Sequence, residues 1–160
     1  MEYTDLFKKL DESKVRYIIC GGLAVNIYGI PRMTADIDLL LDFEKENIAK
    51  FEKVISSLNY KSVLPFTLST LVDSAKRSEL KKEKNLIAFS YYNSMSNLMS
   101  VDVLMEAPLS FDEMWKNKEI RNVEKIEVYL VSVEHLIEMK KYSGRIQDKQ
   151  DIIHLTKYKK

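Results

Sequence analysis

Cysteine is nearly absent from this chain. The single Cys20 rules out an intramolecular disulfide, and a reducing cytoplasm is the compartment that fits. Its apolar neighbours Ile18, Ile19 and Leu23 make it a buried, inert thiol. With 4 glycines, 3 prolines, no repeat and no low-complexity block, nothing marks a linker, and disorder is expected only at the lysine-rich C-terminus. Long apolar runs are missing too. None approaches the roughly 20 residues that span a bilayer, so no membrane partner is expected. Met1-Glu2-Tyr3-Thr4-Asp5 opens acidic where a secretion signal is basic, which predicts a soluble, unexported protein.

An excess of one charge is also lacking. A net charge of +1 gives no global attraction to nucleic acid. Two basic patches stand out, Lys76-Arg77 with Lys81-Lys82-Glu83-Lys84, and Lys157-Tyr158-Lys159-Lys160, although a solvated helix face and a soluble tail explain them without a partner. There is no Walker loop and no G-x-G-x-x-G fingerprint, which argues against the two commonest nucleotide folds. No G-x-S-x-G elbow is present, and His135 and His154 have no partner at metal-ligand spacing, so neither a hydrolase triad nor a zinc site is indicated.

What remains is an ordinary globular mixture, 46% apolar and 31% charged over 160 residues, long enough to bury a core as one domain spanning residues 1–160. Leu6, Phe7 and Leu10 recur at helical spacing before the strand Val15 to Cys20. Gly21-Gly22 ends that strand, and Leu23, Ala24, Ile27 and Tyr28 share one face of a short helix that stops at Gly29 and Pro31. Ile37 to Leu41 reads as a second strand. The next helix carries the stripe Ile48, Phe51, Val54, Ile55 and Leu58, with Asp42 as its cap. Further on, a helix over 68–80, strands over 86–92, 100–105 and 126–131, and a helical turn at Phe111 to Trp115 are expected. Ser132 caps a helix from Val133 to Tyr142, and Asp148 caps a last one reaching about Lys157. Strands separated by helices predict an α/β or α+β sheet domain with helices packed on it.

The chemistry sits in a few residues. A Gly-Gly turn between strand and helix lets backbone N–H groups approach an anion, because no Cβ intervenes and a helix N-terminus favours negative charge. Glycine pairs also serve plain tight turns. Asp36 and Asp38, two apart on a strand, project from one face while Ile37 and Leu39 take the other. Their repulsion beside Leu39-Leu40-Leu41 calls for a cation, and Mg²⁺ suits oxygen ligands; a strand end exposing both acids to water is the plain alternative. Asp102, between Val101 and Val103, can join them as a third acid that binds metal or accepts the nucleophile's proton. Lys140 falls at the centre of the stripe Val133, Leu136, Ile137 and Gly144, so it points inward and needs an anion, be it Asp102, Asp148 or a bound phosphate. Lys141, at the margin, can snorkel to water.

Gly21-Gly22, followed by Gly29, Arg32, Thr34, Asp36 and Asp38, resembles the signature of the polymerase-beta-like nucleotidyltransferase superfamily, in particular its small bacterial members. Lys140, Gly144-Arg145, Asp148 and Asp151 resemble the C-terminal segment of the branch related to abortive-infection toxin nucleotidyltransferases. The resemblance implies the nucleotidyltransferase fold, a mixed sheet flanked by helices with a helical C-terminus. It also implies that Gly21 and Gly22 hold the NTP phosphates, Asp36, Asp38 and Asp102 hold Mg²⁺, and Lys140 lies against the triphosphate. Arg32 would bind phosphate or acceptor, or stand exposed after Pro31. Arg145 and Asp148 would complete the nucleotide set, with Asp148 orienting Lys140 or Arg145 unless it is simply a helix cap. Many relatives have serine where Gly22 stands, so its phosphate contact would have to come from backbone N–H groups. Residues 60–97 match nothing in the family and are candidates for specificity. The implied reaction moves NMP from NTP to a hydroxyl or phosphate and releases pyrophosphate. As acceptor, the 3′ end of tRNA would make the protein a toxin with a cognate antitoxin; an antibiotic acceptor, or a nucleotide-binding protein without turnover, are the alternatives.

Overall fold

The computed structural model describes residues 3–97 and 99–159, so the acidic opening Met1-Glu2 and the terminal Lys160 of the second basic patch lie outside the described residues. Helix α1 (Thr4–Glu12) leads into β1 (Tyr17–Ile19), α2 (Gly21–Ile27), β2 (Asp36–Leu41) and α3 (Lys45–Ser57). Next come β3 (Tyr60–Ser62), a 3-10 turn (Leu68–Leu71), α4 (Ser74–Lys84), β4 (Ala88–Asn93) and β5 (Ser100–Leu104). The chain closes with α5 (Phe111–Lys116), β6 (Glu119–Val123), β7 (Ile126–Leu130), α6 (Val133–Ser143) and α7 (Ile146–Tyr158).

The strands form one sheet of seven in the order β3-β4-β5-β2-β1-β7-β6. Pairs β2/β5 and β1/β7 are parallel and the others antiparallel, which is the expected mixed α+β sheet flanked by helices. Alternation along the central strands gives the sheet two different faces. Ile37 and Leu39 of β2, Val101 and Val103 of β5, and Phe89 and Tyr91 of β4 are buried in register on one of them. Helix α3 packs there through Phe51, whose ring meets Tyr91 edge-on at 5.9 Å, and Phe66 closes on Phe89 at 5.7 Å. Phe51 and Phe89, fully buried, each contribute about 1.5–3 kcal/mol of hydrophobic stabilisation. The opposite face carries Asp36, Asp38, Ser100, Asp102 and Ser90 in adjacent register positions.

Several local expectations change. Asp42 is not the cap of α3; Glu44 holds that position, and Asp42 pairs with Arg16 at 2.5 Å. Asp148 lies inside α7 at its third position, and Arg145 is the N-cap, with the Asp148 carboxylate accepting the Arg145 backbone N–H at 3.0 Å. The helix expected over 68–80 divides into the 3-10 turn and α4, because the Asp73 side chain accepts from the N–H groups of Ala75 and Lys76 and starts a new helix. Strands β3 and β6 were not anticipated. Cys20 is free and buried, and burial drives its thiol pKa well up, which leaves it unreactive. Among the described residues no helix is long and apolar enough to cross a membrane.

Candidate active site

The turn after β1 is a close-packed junction. Gly21 has φ +62°, and a Cβ there would collide with the Asp38 carboxylate; one on Gly22 would overlap the Arg32 guanidinium and lie 2.7 Å from the Thr34 hydroxyl. Both glycines are therefore needed for side-chain approach as well as for turning. The Gly22 N–H is directed at the Asp38 carboxylate.

Beside the turn, β2 and β5 run parallel with Asp36 opposite Ser100 and Asp38 opposite Asp102. Ser100 donates its hydroxyl to Asp36 Oδ1 at 2.6 Å. The carboxyl of Asp38 is raised above its ordinary pKa, first by burial and then by the charges of Asp102 and Asp36, against the counter-pull of Arg145 and the Gly22 N–H. Asp102 is also raised, chiefly by burial and further by Asp36, with the Ser90 hydroxyl opposing. Two neighbouring strands thus present acids whose charges are not cancelled.

Helices α6 and α7 cover this wall. Lys140 points inward as its stripe predicts, only 5% exposed, but its anions are Asp148 at 3.1 Å and Asp151 at 2.7 Å, and Asp102 is not among them. Asp151 also pairs with Arg32 Nε at 3.5 Å, so the loop after α2 is tied to α7. Arg32 is consequently neither exposed nor free. Burial works against the charged form of Asp148, yet the hydrogen bond and charge of Lys140 outweigh it and hold the carboxyl below its usual range. Arg145 is the exposed member: its side chain is 77% exposed, and its Nε donates to the Ser143 hydroxyl at 2.9 Å and lies 3.9 Å from Asp148.

A small cleft of about 70 Å³ brings Gly21, Asp38, Lys140, Arg145 and Asp148 together over Leu104, Leu136 and Met139. Asp36 and Asp102 flank Asp38 on the sheet, and Gly22 and Arg32 lie behind the turn. Sequence reasoning left Asp151 out of the site, although its spacing of three from Asp148 puts both on one helical face. It also passed over Ser100 and Ser90, which become visible only once β5 is set between β2 and β4.

Among the described residues no three His, Cys, Asp or Glu groups converge closely enough to enclose a metal by themselves. The donors still suit a hard divalent cation. Such an ion takes one or two carboxylates and completes its shell with water and substrate phosphates, and the uncancelled charge at Asp38 and Asp102 favours a cation.

A glycine turn after the first strand, facing acids on an adjacent strand of a mixed sheet, is consistent with the polymerase-beta-like nucleotidyltransferase arrangement that the sequence motifs resemble. Residues 2–159 match the family model described as "Nucleotidyltransferase of unknown function (DUF6036)", and the chain belongs to that family. It is accordingly an enzyme of NMP transfer. Among solved structures, the antibiotic nucleotidyltransferase ANT(2'')-Ia in complex with adenylyl-2''-tobramycin shares the fold with a TM-score of 0.56 and 13% identity, over 94% of this chain and 83% of that one. A Thermotoga maritima protein named as a nucleotidyltransferase gives 0.56 and 14% over 95% and 88%, and a solution structure of ANT(2'')-Ia gives 0.54 and 14% over 98% and 80%. No curated protein matches the sequence.

Proposed function

We propose that this nucleotidyltransferase is Mg²⁺-dependent and transfers NMP to a nucleic-acid acceptor, the 3′ end of a tRNA, as a toxin held in check by a cognate antitoxin. Asp36, Asp38 and Asp102 would hold the metal, which when bound supplies Lewis-acid charge at the reacting phosphoryl group. The chain's own residues do the rest by position and electrostatics. Gly21, without a side chain, lets the Asp38 carboxylate close on the turn at the cleft floor. Arg145 presents positive charge on the cleft's helical side, and Lys140, its own charge met by Asp148 and Asp151, holds that side in place. Asp102, opposite Asp38 across the strand pair, would meet the acceptor oxygen on the β5 flank.

The acceptor class rests on one observation. Helix α4 has no buried residue and carries Lys76, Arg77, Lys81, Lys82 and Lys84 against Glu79 and Glu83. Its Lys81 lines a cavity together with Arg145 of the cleft. A phosphate backbone suits that flank. A cationic antibiotic would meet Arg145 and a Glu106 carboxylate already paired with Lys81, so the likeness to ANT(2'')-Ia supports the fold and not the acceptor.

Pyrophosphate release with tRNA, other RNA and antibiotic acceptors, run beside an inducible growth test, checks the reading. Release that requires tRNA, with growth arrest abolished by Asp36→Ala, is the expected result. Release on an antibiotic alone, or steady growth on induction, would contradict it.

A further inference from the structure

Next to the 70 Å³ cleft lies a second and larger cavity of about 500 Å³, walled by the end of α4, the start of β4, the segment after β5 and the last turn of α6. The two share Leu104, Met139, Ser143 and Arg145, so they meet along one wall. No residue of this second cavity belongs to the acid wall or to the Lys140 ion pairs. Its chemistry divides into two parts. Leu104, Pro108, Met139 and Ile87 are apolar, and Tyr142 adds an aromatic ring that is 59% exposed although it stands over this surface. Ile87 is likewise 64% exposed. The rest of the lining is polar. Glu106 pairs with Lys81 and accepts the Tyr142 hydroxyl, and these two donors hold its carboxyl below the usual range despite a small opposing effect of burial. Asn85 belongs to it too, in left-handed backbone conformation at the end of α4.

We infer that this cavity is a nucleobase subsite, in which a base stacks on Tyr142 over the Ile87–Met139 floor and presents its hydrogen-bonding edge to Glu106, Lys81 and Asn85. The inference rests on the nucleotidyltransferase reading and extends it to a part of the chain, residues 81–87 and 104–108, that the catalytic residues do not use. Three properties select a base over other guests. The volume exceeds what a water or a phosphate needs and falls within the range of small-molecule pockets. An exposed aromatic face over an apolar floor offers stacking, which is worth about tenfold or more in affinity per base. A carboxylate acceptor beside an ammonium donor matches the alternating donors and acceptors of a base edge. A purely anionic guest would gain nothing from Tyr142, Ile87 and Met139, and a polycationic one would meet Arg145 and find Glu106 already paired with Lys81.

The base has two possible sources, the NTP or the terminal nucleotide of the acceptor, and binding measurements separate them. Three probes are titrated with Mg²⁺ present: the four NTPs, inorganic tripolyphosphate as the triphosphate without a base, and a labelled single-stranded RNA hexamer. Each is run against the unaltered protein, Tyr142→Ala, Tyr142→Phe and Ile87→Asp. If the NTP supplies the base, Tyr142→Ala and Ile87→Asp weaken NTP binding about tenfold, Tyr142→Phe retains most of it, and tripolyphosphate binds all four proteins alike. If the acceptor supplies it, the same pattern appears with the RNA hexamer and the NTP affinities stay unchanged. Equal affinities of all four proteins for both NTP and RNA would overturn the subsite while leaving the nucleotidyltransferase reading intact. Failure of the unaltered protein to bind any NTP would overturn that reading, and this inference with it. Unchanged circular dichroism and melting of the variants, which alter exposed positions, confirms that the comparison is between folded proteins.

Discussion

Asp38 on the sheet and Asp148 on α7 line the same cleft, yet their carboxyl groups are shifted in opposite directions. Both are taken out of water. Asp148 has Lys140 at 3.1 Å, and the lysine wins over burial. Asp38 has Asp102 and Asp36 for neighbours, which add to burial, and only Arg145 and one backbone N–H oppose them. The helical half of the site has closed its own ledger of charge: Lys140 and Arg32 against Asp148 and Asp151. The sheet half has not. The difference suits the two halves to different work: a neutralised network holds geometry, and an uncancelled acid wall is where the proposed cation and triphosphate would bind.

The strongest way to break this contrast is to remove one member of the closed network. Asp151→Ala leaves both Lys140 and Arg32 buried without their shared anion and should destabilise the fold by about 3–5 kcal/mol, measured by urea unfolding. A loss below about 1 kcal/mol, the size of an exposed pair, would show that the network is not a lock. On the sheet half the expected effect falls on activity. Asp38→Ala should lower label transfer from an α-labelled NTP by about 10²–10³-fold with the fold retained, and transfer near the unaltered rate would remove Asp38 from the site. A milder change tests the support of the wall: Ser100→Ala deletes the 2.6 Å bond to Asp36 and should cost about tenfold in activity or metal affinity.

The smallest effect is in the acid limb of the stability profile. Because the folded-state pKa of Asp148 is lowered, its contribution is fully present above the ordinary carboxylate range and is lost as pH falls through that lowered value. Asp38 has the opposite sign: its cost appears as pH rises from the ordinary value through the raised one and persists above it. Asp148→Asn should therefore flatten the loss of stability at low pH, in melts taken across pH 2 to 5, a window set around the ordinary Asp value of about 3.9. An unchanged acid limb would rule out that linkage.

These halves were not equally legible in the sequence. The two-residue spacing of Asp36 and Asp38 on an apolar strand, and the isolation of Asp102 between valines, are local patterns, and the sheet realises them directly. Lys140 was legible as inward-pointing for the same reason, since its helix stripe is a local signal. Its partner was not. Choosing between Asp102 and Asp148 depends on how α6 meets α7, and Asp148 was taken for a cap because an acid near a helix start fits both roles. Arg32 and Asp151 lie far apart in the chain, and only tertiary packing joins them. Strand β3 is three residues long, too short to show alternation, and β6 alternates weakly as the charged edge strand Glu-Ile-Arg-Asn-Val. The family resemblance was carried by the glycine and acid motifs, and the family match supports it over residues 2–159.

One melting experiment bears on the contrast between the two halves: thermal unfolding at neutral pH of the unaltered protein and Asp38→Asn, each alone and with Mg²⁺ plus a slowly hydrolysed NTP. Relief of repulsion predicts that Asp38→Asn melts higher than the unaltered protein when nothing is bound. It also predicts that only the unaltered protein gains substantially from Mg²⁺ with NTP, so the order reverses on loading. A lower melting point for unloaded Asp38→Asn, with equal gains for both proteins on loading, would contradict the acid wall as a cation-dependent nucleotide site.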